Sequence, residues 1–142
     1  MHLNTTHFGD VEVNPEAIIT FPQGLVGLPE LTRFVLLHEE RSNPGESPIV
    51  FWLQSLDEPE MSFNLIDPSV LGVTYEMVLT DEECALLKTQ NFSDVVVLLM
   101  VGTKDQSREL EAKPRLPFVI NPNTRLGLQK ANIRPEIVFK SI

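Results

Sequence analysis

Three histidines, one cysteine and one tight group of acids are the residues of this chain best equipped for chemistry. His2 and His7 lie close together near the start, but no third donor stands at metal-ligand spacing beside them. They read as strand or terminal histidines, not as a metal site. Cys84 and His38 could form a thiolate–imidazole pair, because such partners meet in space and not in sequence. Cys84, however, falls on the apolar side of a predicted helix, where a free cysteine behaves as a small buried hydrophobe. A single cysteine also excludes an internal disulfide and a cysteine-based zinc site.

Asp57, Glu58 and Glu60 crowd one turn around Pro59. Paired carboxylates do acid–base work when one of them is buried. In a proline-shaped loop they are expected to be exposed and ionised, as solvated acids or as a docking patch for a basic partner. Gln23-Gly24-Leu25-Val26-Gly27 carries two glycines but no Ser, Thr or base to cradle phosphate. It is expected to be a shaped connection with Leu25 and Leu28 tucked into the core. The chain has no G-x-S-x-G elbow, Walker loop, H-E-x-x-H or G-x-G-x-x-G motif. Catalytic and metal-ligand signals are thus mostly absent, which suits an interaction module.

The elements that must position these residues are mostly strands. Eleven prolines punctuate the chain, and short runs of β character lie between them. Ala17, Ile19 and Phe21 share one face of a candidate strand, and Phe34 to Leu37 is a short apolar run. Ile49 to Leu56 is apolar on both faces, as a central strand would be, so Trp52 is expected to be largely buried. Met61, Phe63 and Leu65 alternate with polar neighbours, the period-two mark of a half-buried strand; Tyr75, Met77 and Leu79 repeat it. Val95 to Val101 reads as a fully buried strand. Leu116, Phe118 and Ile120 alternate, and Leu126 and Leu128 follow the turn-like Asn121-Pro122-Asn123-Thr124.

One stretch is helical: Thr80 to Glu83 spells a capping box, acids fill the first turn, Cys84, Leu86 and Leu87 give an apolar side, and Lys88 suits the end. Together these predict a mostly β fold: one compact antiparallel β-barrel-like domain over residues 1–142, with one or two short helices. The longest apolar run falls far short of the ~20 residues that a membrane helix needs. The first ten residues show no secretion signal, so a cytoplasmic protein is expected.

Charge is unevenly spread. Residues 1–71 hold eleven acids against two bases, Arg33 and Arg41, a net of −9; residues 72–142 hold nine of each and balance. An acidic surface repels phosphate backbones, so direct nucleic-acid binding is disfavoured. It attracts basic partners, or simply keeps a small protein soluble.

Several segments, in order, resemble the flagellar assembly factor FliW family. They are Thr5-Thr6-His7-Phe8-Gly9-Asp10-Val11-Glu12-Val13, then Ile19 to Leu28 with Phe34 following, then Phe51-Trp52-Leu53-Gln54-Ser55-Leu56-Asp57-Glu58-Pro59 with Phe63 and Asp67-Pro68. Pro117-Phe118-Val119-Ile120-Asn121 and Arg125-x-Gly127-x-Gln129 complete the likeness. Lys113-Pro114 departs from the Asn-Leu pair usual there, and a proline at that point is expected to alter the local strand pairing. The resemblance implies a compact β-barrel-like binding protein of the cytoplasm, without a cofactor and not an enzyme. It implies two mutually exclusive partners: flagellin, and the carbon storage regulator CsrA, whose repression of flagellin translation such a protein blocks from a separate site. The most family-like segments supply the candidate partner-binding residues: Gln54, Ser55, Asp57, Glu58 and Glu60 from one, Asn121 and Arg125 from the other. The oligomeric state is not legible; a monomer is expected. The competing readings are a small-ligand-binding barrel or a hydrolase with a site assembled from scattered residues, and a nucleic-acid-binding barrel using a local basic face near the C-terminus.

Overall fold

A computed structural model describes residues 1–6, 8–38, 50–68, 73–76, 78–90, 94–103, 110–130 and 136–139; for 73–76, 101–103, 110–116 and 136–139 the description is of the backbone. The chain begins with a hairpin of β1 (His2–Thr5) and β2 (Gly9–Glu12), with Thr5 opposite Gly9. The Thr5 hydroxyl closes its turn by accepting from the Phe8 N–H and donating to the Gly9 carbonyl. The strand expected from Ala17 to Phe21 is shorter, because Pro15 starts a 3₁₀ turn (Pro15–Ala17) whose first donor, the Glu16 N–H, is taken by the Asn14 side chain. Only β3 (Ile19–Thr20) remains as strand.

Four strands follow: β4 (Arg33–His38), β5 (Val50–Ser55), β6 (Ser62–Ile66) and β7 (Val73–Glu76). After them come helix α1 (Asp81–Leu87) and strands β8 (Val96–Thr103), β9 (Leu110–Asn121), β10 (Leu126–Gln129) and β11 (Glu136–Phe139). Seven strands close a barrel in the order β10-β3-β4-β5-β6-β8-β9, while β7 and β11 pair separately. The antiparallel expectation holds at every joint of the barrel but one: β10 meets β3 in parallel, through Leu126 opposite Thr20.

The interior is a packed core. Phe21 stands edge-on to Phe34 and Phe118, with ring centroids 5.2 and 6.2 Å away. Ile19, Leu25, Leu31, Leu53, Leu65, Leu98 and Ile120 fill the space around them. Leu25 and Leu28 do turn inward, and the Gly24 that shapes their connection has φ +68°, with Pro29 packed where a Cβ would sit.

Helix α1 covers a second, smaller cluster on the outside of β9 and β10, made by Leu87, Val119 and Leu128. That is why β9 is apolar on both faces: Phe118 and Ile120 face the interior, and Val119 lies beneath the helix. The capping box forms as the sequence predicts, with the Glu83 N–H donating to Thr80 Oγ1 and the Thr80 N–H to Glu83 Oε1. Lys88 ends the helix by entering the left-handed region at φ 53°.

Two burial expectations are corrected. Val96, in the run expected to be wholly buried, is 40 % exposed, because it opens β8 at the strand's end. Trp52 is of intermediate burial and lies outside the barrel, not in its central core. A barrel interior takes one face of β5, and it takes Phe51 and Leu53; Trp52 points outward beside Leu37 and Asn64. The β8–β9 ladder is irregular beside Lys113-Pro114. Between the pairs Leu98–Phe118 and Met100–Lys113 the ladder shifts, with more residues on β9 than on β8. Pro114 and Pro117, both without an N–H, lie in that break. Met77, Leu116 and His7 fall outside what is described of side chains.

Candidate partner-binding face

The outward face of β4 and β5 is where the structure gathers most of the candidate residues. Cross-strand pairs Val35–Gln54 and Leu37–Trp52 put these four side chains on the outside of the barrel. The N-terminal hairpin is fastened beside them: the Thr6 N–H donates to the Pro59 carbonyl (3.3 Å), and Phe8 stands edge-on to Trp52 with ring centroids 5.8 Å apart. Phe8, Leu37, His38 and Trp52 line an open depression of about 270 Å³.

The loop after β5 is held from inside. Gln54 is fully buried, and its Nε2 donates to the carbonyls of Ser55 (2.9 Å) and Pro59 (3.0 Å). Its Oε1 is buried without a hydrogen-bond partner. Ser55 is also fully buried, and its hydroxyl accepts from the Asp57 and Glu58 N–H groups. Neither side chain is placed to touch a partner; each shapes the loop that would.

Asp57 is corrected in the same sense. It was expected to be exposed with its two neighbours, yet Oδ2 accepts from the Thr32 and Arg33 N–H groups (2.9 and 3.0 Å). Its Oδ1 accepts from the Arg33 guanidinium through Nε and Nη2 (3.1 and 3.0 Å). Burial pushes the Asp57 carboxyl up, but the Thr32 and Arg33 backbone donors and the Arg33 charge outweigh it, and the net shift is downward. Asp57 is thus a clamp between this loop and the start of β4. Glu58 and Glu60 are exposed, as expected.

The second candidate segment divides the same way. Asn121 is buried: its Nδ2 donates to the Leu87 carbonyl at the end of α1, and its Oδ1 accepts from the Asn123 N–H. Thr124 donates its hydroxyl to the same carbonyl, so the β9–β10 turn caps the helix. Arg125 is exposed, at φ 59°, and its carbonyl accepts from the Thr20 N–H. Thr20 pairs with Arg33, which grips Asp57, so both segments lie at one end of the barrel. The partners of Asp57 and the outward aim of Trp52 were missed in the sequence. The scarcity of bases before residue 71 was the available signal that Arg33 would be claimed by an acid.

Elsewhere the chemistry is structural. Cys84 is half-buried on α1, while His38 ends β4 against Phe51. His2 lies 3.0 Å from Glu12 and 3.6 Å from Asp10 across the hairpin. Glu83 is pushed up by burial but brought down overall by the Thr80 N–H and by Lys130, whose Nζ lies 3.0 Å from it. Among the described residues no three His, Cys, Asp or Glu side chains converge as metal ligands, and no helix is long and apolar enough to cross a membrane.

Comparison with known proteins gives one consistent match. Residues 2–140 fit the family model described as FliW protein. A flagellar assembly factor FliW of Chromobacterium violaceum is 37 % identical, over 98 % of this chain and 98 % of the relative. One from Azoarcus sp. is 38 % identical over 92 % of this chain and 90 % of its own. A crystal structure of the flagellar assembly factor FliW superposes with a TM-score of 0.78 at 31 % identity, covering 96 % of this chain and 93 % of that one.

Proposed function

The chain belongs to the FliW family of flagellar assembly factors, non-enzymatic proteins, and on that premise we propose that it acts in the cytoplasm by binding flagellin and CsrA in turn. Bound to CsrA, it relieves the repression of flagellin translation; when flagellin accumulates and claims it, CsrA is released. The observation that carries this reading is the match of nearly the whole chain, in sequence and in fold, to flagellar assembly factors. The packed barrel supports it, because Phe21, Phe34 and Phe118 occupy the interior where a small-ligand barrel would hold its ligand. The open depression on the outside also suits a macromolecule better than an enclosed substrate.

Glu58, Glu60 and Arg125 are the candidate residues with side chains available for contact. Gln54, Ser55, Asp57 and Asn121 act behind them, as positioning residues. The test is competition by calorimetry. The purified protein should bind flagellin and CsrA separately, and flagellin should displace CsrA from a preformed complex. Association with CsrA should slow as salt rises, while dissociation changes less. A protein that binds neither partner would overturn the reading.

A further inference from the structure

Trp52 is the chain's single tryptophan, and it lies on the outside of the barrel. We propose that the depression over Trp52 seats an arginine or lysine side chain of a basic protein partner, making the outer β4–β5 face the docking surface for that partner. The inference deepens the function proposed above and rests on it: of the two partners, it assigns this face to CsrA, which as a binder of mRNA must carry basic side chains.

Three features of the site select a cation. An indole face is the strongest aromatic acceptor for a cation; this one is partly exposed, and Phe8, edge-on at 67°, holds it in place. Leu37 offers an apolar surface for the alkyl stem that carries the charge. The surrounding charge is negative. Glu58 and Glu60 leave the loop whose Pro59 carbonyl ties it to the same hairpin that carries Phe8, and Asp10 is exposed on that hairpin. Arg33, the sole base among the described residues before 71, is already held by Asp57. Beside the His38 imidazole that lines the depression, a cation arriving at Trp52 therefore meets acids, and no Lys or Arg other than the engaged Arg33 among the described residues of these elements. The surface is also built in advance, since Gln54, Ser55 and Asp57 fix the loop from within and little order need be lost on binding.

Trp52 is its own reporter. The wild-type protein is titrated with a short tryptophan-free peptide alternating Arg and Leu, with a Glu–Leu peptide and with an oligonucleotide, while acrylamide quenching of the indole is followed. The Arg–Leu peptide should shield Trp52 and the others should not. Trp52→Leu should weaken binding of that peptide and of CsrA roughly ten-fold, with flagellin affinity kept. Trp52→Phe, which retains a ring face, should lose less, and thermal melting checks that both variants fold. An Arg–Leu peptide that fails to bind or leaves Trp52 fully quenchable would overturn the inference, as would shielding by the Glu–Leu peptide or the oligonucleotide. If CsrA binds wild type and Trp52→Leu alike, the inference falls and the proposed function stands. If wild type binds neither CsrA nor flagellin, the proposed function falls, and the peptide titration still decides the chemistry of the depression.

Discussion

Replacing Asp57 with alanine removes four hydrogen bonds at once, two from backbone N–H groups and two from one guanidinium. A hydrogen bond to a charged group contributes about 1.5–3 kcal/mol when shielded from water. The Asp57 side chain retains 23 % of its exposure and that of Arg33 56 %, so the guanidinium pair itself is worth only ~0.2–1 kcal/mol. The backbone donors carry most of the effect, and after screening the whole clamp is expected to contribute about 2–3 kcal/mol. Urea unfolding of wild type and Asp57→Ala at neutral pH measures it.

The pH dependence has a fixed sign. The Asp57 carboxyl titrates below its ordinary value of 3.8 in the folded protein, so its stabilisation is complete above that value and is lost as pH falls through the lower, folded one. The gap between wild type and mutant should therefore close in acid. Arg33→Ala should cost ~1 kcal/mol or less, and a double-mutant cycle should show the two residues coupled. A loss below ~0.5 kcal/mol for Asp57→Ala at neutral pH, or a loss that is the same in strong acid, would refute the clamp.

Other substitutions test the packing. A Cβ at Gly127 would meet the Phe21 ring at 2.7 Å, so Gly127→Ala should cost ~1–3 kcal/mol in thermal or urea unfolding, and Phe21→Leu in the same chain should recover part of it. Thr80→Ala removes one half of the α1 capping box and should cost about 1 kcal/mol by the same measure. Glu58→Lys with Glu60→Lys should leave the melting temperature nearly unchanged, because both side chains are exposed, while weakening CsrA more than flagellin in calorimetry.

Much of the barrel can be read from the chain because each signal is local. Thr80 and Glu83 are three residues apart, and their mutual capping needs nothing beyond that spacing. Met61, Phe63 and Leu65 alternate because one face of β6 meets the core. What escapes the sequence is set by elements distant along it. Trp52 and Leu53 are equally apolar, yet one lines the outside and the other the core; which face of β5 turns inward depends on pairing with β4 and β6. Asp57, Glu58 and Glu60 look alike in sequence. Only the approach of Arg33, brought by β4, turns one of them into a structural group. Gln54 and Asn121 are polar residues within family-like segments, but their partners are the carbonyls of Pro59 and Leu87, which only the folded chain brings to them.

The parallel joint between β3 and β10 has a consequence for how the molecule assembles and fails. It brings together residues more than a hundred positions apart through one pair, Leu126 and Thr20, seconded by the Thr20 N–H to the Arg125 carbonyl and the Val26 N–H to Gln129 Oε1. Contacts that span so much chain are slow to form, since the entropy of closing the loop is lost before the contact is made. The hairpin ladders β4–β5 and β5–β6 can form without it, which makes this joint the natural last step of folding and the first to open. An open joint leaves two unpaired strand edges, and such edges template pairing between molecules. Amides of Thr20 and Leu126 should exchange hydrogen ahead of those in β5, and conditions that speed that exchange should also speed aggregation.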